Sequence, residues 1–305
     1  MLMQDPGQLA GLAKTLGNHS NRLAEAGRPE EALAAIAEAV QILKRLAAAG
    51  QDALLPDLAG SLNNYSVQLA NVGRRREALA PSVVAVQIYR GLIKAGQDAL
   101  LHNFIMSLGN HFNQLTDSGR REEVLAESTE AVQNLRRQAE ARPDALLPDF
   151  AKSLNCLSNQ LAALGRPERA LEATTEVVQI YRQLAKAHPA AFLPGLAGYL
   201  HNLAMALATL NRWGDRNGLD AITDAVTIRR QLAEERPDAH RPDLARSLND
   251  RAIWLAILGR REEALDSIDK AVIIRKQLAK TRPAVYQGEL NKSLHVLSVL
   301  NDDRT

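Results

Sequence analysis

The sequence predicts an all-α fold, a solenoid of antiparallel helix pairs with about thirteen helices. Three observations carry that expectation. The tripeptide SLN or a relative returns at Ser61, Ser107, Ser153, Ser247 and Ser293, with Thr15 and Tyr199 in equivalent places. The spacings are 46, 46, 46, 46, 48 and 46 residues. Twelve residues after each marker stands Gly27, Gly73, Gly119, Gly165, Asn211 or Gly259, followed in every copy by arginine. The chain is also 46% hydrophobic but only 4% aromatic, so Ala, Leu, Val and Ile carry the apolar weight. That bias suits closely packed helices and disfavours sheets.

The 305 residues then divide into a lead-in (1–14), six copies (15–60, 61–106, 107–152, 153–198, 199–246 and 247–292) and a partial seventh (293–305), all in one domain. The lead-in resembles the tail of an earlier copy, and Ser293 onward opens a further one that stops after a single helix.

Each copy reads as two helices. With Ser61 as position 1, the first runs from about Pro56 to Val72, where proline suits the first helical turn. Leu58, Leu62, Tyr65, Leu69 and Val72 recur at three- and four-residue steps and mark one apolar face. Gly73 then supplies the left-handed residue that ends a helix. The second helix, about Arg75 to Ala95, carries Ala78, Leu79, Val83, Val86 and Ile88. It stops near Gly96, or at Arg142-Pro143, His188-Pro189 and Arg236-Pro237 in other copies, because proline cannot continue it. Arg90, Arg136, Arg182 and Arg230 sit where they complement the negative helix end. A last helix is expected near Gly288 to Leu300. No single pair can bury its apolar face, so neighbours must stack.

Charge and composition exclude several functions. Lys and Arg number 37 against 35 Asp and Glu, a net of +2, too little to drive non-specific binding to nucleic acid or an anionic membrane. One cysteine, Cys156, leaves no disulfide framework and no multi-cysteine metal site. Uncharged stretches are broken by Gly, Pro, Asn or Gln, so no membrane span is expected. The first residues lack the pattern of a signal peptide, and the expected compartment is the cytoplasm. No phosphate loop, dinucleotide fingerprint, HExxH, GxSxG or CxxC occurs, and the seven histidines never fall four apart. No enzymatic activity, catalytic residue, cofactor or metal is expected.

The repeat resembles the tetratricopeptide repeat, over nearly the whole chain from Leu12 to Leu300. The order of large and small residues in Leu62-Asn63-Asn64-Tyr65-Ser66-Val67-Gln68-Leu69, then Gly73, Ala78 and Ala85, carries the likeness. Small residues recur at position 6 (Ser20, Ser66, Ser158, Ala204, Ala252) and at position 25 (Ala39, Ala85, Ala131, Ala225, Ala271), with Phe112 and Val177 as exceptions. The long period and the segment Pro148-Asp149-Phe150-Ala151-Lys152-Ser153-Leu154-Asn155 are similar to the kinesin-light-chain type. The resemblance implies a right-handed superhelix that binds a protein or peptide in a groove lined by first helices.

In the family the groove corresponds to positions 0, 3, 7 and 11. These give Lys152 and Arg246; Asn63, Asn155, His201 and Asn249; Asn21, Asn113, Asn159, Met205 and Ile253; and Ile257. The row is polar and Asn-rich in the first four copies. Asparagine both donates and accepts, so such a row can pair with a peptide backbone, with Lys152 and Arg246 drawing an acidic side chain or C-terminal carboxylate. It can equally be a solvated helix face. Asn18, Asn64, Asn110 and Asn202 at position 4 fit structural bonds between neighbours, and His19 and His111 at position 5 fit core fillers. The fifth copy departs with two extra residues in Asn211-Arg212-Trp213-Gly214-Asp215-Arg216-Asn217-Gly218. Trp213 is expected to fold back over the solenoid edge. Trp254 with Met205, Ile253 and Ile257 forms an apolar patch, a binding hot spot or a surface that the last helix around Leu294 and Leu297 covers. Two other uses remain: the sensor or array part of a larger signalling or effector protein, and a self-assembling array.

Overall fold

Glycine and proline set the helix boundaries, and the structure, a computed structural model describing residues 5–302, follows them closely. It contains thirteen α-helices, two short 3-10 turns and no strand among the described residues. Gly27, Gly73, Gly165 and Gly259 close first helices with φ of 74°, 80°, 70° and 73°, and Asn211 takes the same role at 56°. Gly119 does not. Its first helix ends early at Gln114, and Asp117 caps the next helix by accepting from the Arg120 amide at 2.8 Å. The sequence Thr116-Asp117-Ser118 offers an N-cap, so the glycine falls inside the first turn instead of at a corner. Met1 to Gln4 and Asp303 to Thr305, the ends of the lead-in and of the partial seventh copy, lie outside the described residues.

The chain packs as two compact units, one ending at Gly165 and one beginning at Arg166. The first holds α1 (Pro6–Glu25), α2 (Pro29–Ala48), α3 (Leu55–Asn71), α4 (Arg75–Lys94), α5 (Leu101–Gln114), α6 (Ser118–Ala141) and α7 (Pro143–Ala163). Each helix packs on the next, and the first helices α1, α3, α5 and α7 also touch in succession. Second helices do not approach one another to that extent, so the first helices form the tighter row within this unit. Ile36, Ala39 and Val40 of α2 pack with Leu58 and Leu62 of α3 and Ala85 of α4, all buried. Burying such an aliphatic side chain stabilises by about 2 kcal/mol. The small residues are where close approach requires them. Ser20 and Ser66 are fully buried, and each hydroxyl donates to a facing carbonyl, of Ala32 and Ala78, at 2.7 Å.

The second unit holds α8 (Pro167–Ala187), α9 (Pro189–Thr209), α10 (Arg216–Glu235), α11 (Pro237–Ile257), α12 (Arg261–Thr281) and α13 (Pro283–Asp302). The final helix thus starts five residues before the expected Gly288, at a proline like those opening α7, α9 and α11. Contrary to expectation, one helix, α9, is long and apolar enough by composition to cross a membrane. Its Leu196, Leu200, Leu203 and Leu207 are buried, and it packs against α8 and α10. Tyr181, Phe192 and Tyr199 gather beside it, with Tyr181 4.5 Å from Tyr199 between ring centroids.

The arginine after each corner glycine has a local use. Arg28, Arg74 and Arg260 each donate two hydrogen bonds to a glutamate three residues on, Glu31, Glu77 and Glu263. Those bonds hold the three carboxyls below the usual range. All six side chains are solvent-exposed, so the pairs fix the corner more than they stabilise the fold.

Candidate binding surfaces

Positions 3 and 4 do not both face solvent, because adjacent first helices meet there. Asn110, position 4 of the third copy, donates to the Oδ1 of Asn63, position 3 of the second, at 3.0 Å. Cys156 stands at position 4 of the fourth copy against Gly109 at position 3 of the third. A Cβ on Gly109 would lie 2.2 Å from the cysteine sulfur. Burial pushes the Cys156 thiol up to about 11. In the second unit His201 Nε2 lies 3.5 Å from Asp250, again position 3 to position 4.

This register removes two residues from the expected open stripe. His201 and Asn249 are only 8% and 7% exposed. His201 Nδ1 bonds Ser247 Oγ at 3.2 Å, and Asn249 Oδ1 accepts from Ser293 Oγ at 2.8 Å and from Arg275 at 3.2 Å. Each is tied to the marker serine of the following copy. The rest divide cleanly. Asn21, Asn113, Asn159, Lys152 and Arg246 are exposed, and Asn63 and Asn155 are half-buried. Lys152 and Arg246 each meet an aspartate three residues earlier on the same helix, Asp149 at 3.6 Å and Asp243 at 3.3 Å. Such exposed pairs hold weakly, leaving both cations able to meet another anion. The exposed asparagines of this stripe, Asn21, Asn113 and Asn159, all lie in the first unit.

Trp254 is likewise not on the surface. It is 1% exposed, so the apolar patch reduces to Met205, Ile253 and Ile257. Its neighbours include the inserted loop and α10. Trp213 of the inserted loop lies against it, and the Trp254 ring itself fills the space where a Cβ on Gly218 would stand, 2.3 Å away. Position 8 is an inward position generally, since Gln68 and Gln160 are buried there too. Met205 and Ile257 remain exposed at 39% and 51%. His111 is buried and bonds Ser82 at 2.9 Å, as a core filler should, whereas His19 is exposed.

Two buried arginines belong to no motif in the sequence. Arg229 and Arg275 occupy position 29, where Leu43, Tyr89, Leu135 and Tyr181 stand elsewhere. Arg275 donates to the Glu289 carbonyl at 2.8 Å, to Ser293 at 2.6 Å and to the Glu289 carboxylate at 3.0 Å. Arg229 bonds the Asp243 carbonyl at 3.2 Å and Ser247. Burial lowers the pKa of both guanidiniums. An arginine at the phase of a core leucine was the available signal. Among the described residues no group of three His, Cys, Asp or Glu could hold a metal ion.

The comparisons with known proteins agree with this architecture. Residues 244–282 match the family model described as tetratricopeptide repeat. That stretch falls almost wholly within the sixth copy, and the fold around it is built throughout as a tetratricopeptide-like solenoid of helix pairs. It is similar to the crystal structure of BtubC (BKLC) from P. vanneervenii, at TM-score 0.62 and 18% identity over 82% of this chain and 92% of that one. It is also similar to a signal transduction ATPase with numerous domains that carries a tetratricopeptide repeat sensor, from Pyrococcus horikoshii. There the TM-score is 0.64 at 10% identity, over 96% of this chain and 39% of that one. The nuclear import adaptor Nro1 of S. pombe gives 0.56 at 14% identity, over 88% and 94%. These identities speak to fold alone. A comparison with curated protein sequences finds no match.

Proposed function

We propose that this protein is an interaction scaffold whose first-helix face, in the unit ending at Gly165, binds an extended segment of a partner protein. The observation that carries the reading is the row of exposed asparagines Asn21, Asn113 and Asn159 on α1, α5 and α7, beside Lys152. Each amide offers solvent both a donor and an acceptor, the pair that a peptide backbone requires. Lys152 Nζ, held only at 3.6 Å by Asp149, supports an acidic side chain or C-terminal carboxylate in the partner. The fold's likeness to an import adaptor supports a scaffold role. The test is capture of proteins from cell extract by the full chain and by an Asn113→Ala, Lys152→Ala, Asn159→Ala triple variant, identified by mass spectrometry. Partners lost by the variant support the groove; unchanged capture overturns it.

A second reading, the sensor part of a larger signalling protein, is favoured by one observation. The chain spans 39% of a signalling ATPase whose own repeats are described as a sensor.

A further inference from the structure

One well-formed cavity lies off the first-helix row. It is a cleft of about 870 Å³ between the second helices α8 and α10, floored by α9. The corresponding gap in the first unit, between α4 and α6 over α5, has only about 220 Å³. There Arg90 reaches across and donates to both oxygens of Glu127, at 2.7 and 2.8 Å. The position equivalent to Glu127 holds Ala221 in the fifth copy, so Arg182 has no such partner and makes a single 3.0 Å bond to Asp224. The inserted loop borders the gap through Arg212 and Asp215. Its Trp213 turns to Trp254 on α11 and is not among the side chains lining the cleft.

We propose that this cleft is a second binding site, taking a short peptide segment of a partner that carries apolar side chains flanked by lysine or arginine. The floor is Val178, Leu203, Leu207 and Ala221, aliphatic throughout. The rim is not neutral. Both of its arginines are already engaged, Arg182 with Asp224 and Arg212 with Asp215 at 2.8 Å. Glu172 has no ion pair among the described residues, and Asp220 has only Arg216 at 3.9 Å. Apolar side chains fill the floor while a cation meets Glu172 and Asp220, a complementarity that steers and selects a basic partner. The volume lies in the range of sites that bury a small ligand or a few side chains. This surface is separate from the asparagine row, and its expected partner has the opposite charge.

A random peptide display library selected on the full chain tests the proposal. Enriched peptides should pair Lys or Arg with Leu, Ile, Phe or Met. They should lose about tenfold or more in affinity against a Glu172→Lys, Asp220→Lys variant. They should also lose binding to Gln179→Trp, which places an indole in the cleft mouth without changing charge. Circular dichroism melts confirm folding, since all three side chains are exposed. Retained binding to both variants, enrichment of acidic peptides, or no enrichment at all overturns the proposal. The asparagine-row triple variant should bind the selected peptides as the parent does, so the two surfaces fail independently.

Discussion

The Trp213 ring stands edge-on to that of Trp254, with centroids 4.7 Å apart and planes inclined by 60°. These are the only two tryptophans in the chain, and they hold an inserted loop against the first helix of the next copy. Trp254→Ala should therefore act on stability and not directly on recognition, costing about 4 kcal/mol from a fully buried aromatic. Trp213→Ala, half-buried, should cost about 1–2 kcal/mol. Urea unfolding followed by circular dichroism measures both. A near-neutral Trp254→Ala would falsify the buried placement.

Gly109→Ala should destabilise by about 2 kcal/mol, because its new Cβ would meet the Cys156 sulfur at an impossible 2.2 Å. Cys156→Ala on the same chain should recover most of that loss, a coupling that a double-mutant cycle reads directly. Additive effects would mean that the two residues do not touch.

The same thiol provides a probe of opening. Held near pKa 11 by burial, Cys156 should resist thiol-modifying reagents at neutral pH in the folded protein and react fully in denaturant. The folded-state labelling rate should then follow separation of α5 from α7. Rapid labelling under native conditions would contradict it.

Acid should weaken the second unit through His201. Burial, then the nearby Arg229 charge, lowers its pKa from 6.5 to about 4, although Asp250 and Asp243 oppose this and Arg246 adds to it. The folded protein keeps the ring neutral while the unfolded chain takes up a proton below about 6.5. Stability is thus complete above 6.5, falls as pH drops toward about 4, and then levels, a loss on the order of 3 kcal/mol. His102 and His111, also lowered by burial, act in the same direction in the first unit. His201→Asn, the residue found at this position in other copies, should flatten part of the profile. Melting temperatures from about pH 7 to pH 4.5 decide it.

Arg275→Leu, which installs the residue of Leu43 and Leu135, should cost about 2 kcal/mol even though it suits the phase of the helix. The loss arises from Ser293 and Asn249, which are left buried with one partner fewer. Chemical unfolding compared with Leu135→Ala separates the two kinds of core.

The helices were legible in the sequence because their signals are local. Glycine at a positive φ and proline at a first turn depend on a handful of neighbouring residues, and position 25 is alanine in every copy except the fourth, which has Val177. Gly119 shows the limit: its corner was decided by Asp117, a competing cap two residues away. Position 3 was legible only in part. Its exposure depends on the residue presented by the next copy, so Asn249 is buried beneath Arg275 while Asn63 is half-open beside Asn110. Trp254 misled for the same reason, since part of what covers it comes from a loop some forty residues earlier. The cleft between α8 and α10 had a visible border, the two-residue insertion, but its volume and acidic rim depend on how α8, α9 and α10 pack.

The pairing of position 3 with position 4 also makes the copies non-interchangeable. Cys156 fits behind a glycine and would collide behind His201 or Asn249; Asp250 has a histidine to face and would meet a bare Gly17 at the other end of the array. Copies of near-identical length thus have a preferred order, read at these three junctions by one pair of side chains. A tract of such repeats can lengthen by duplication only where the new junction happens to match. A recombined array with its copies shuffled should form every helix and still fail to stack.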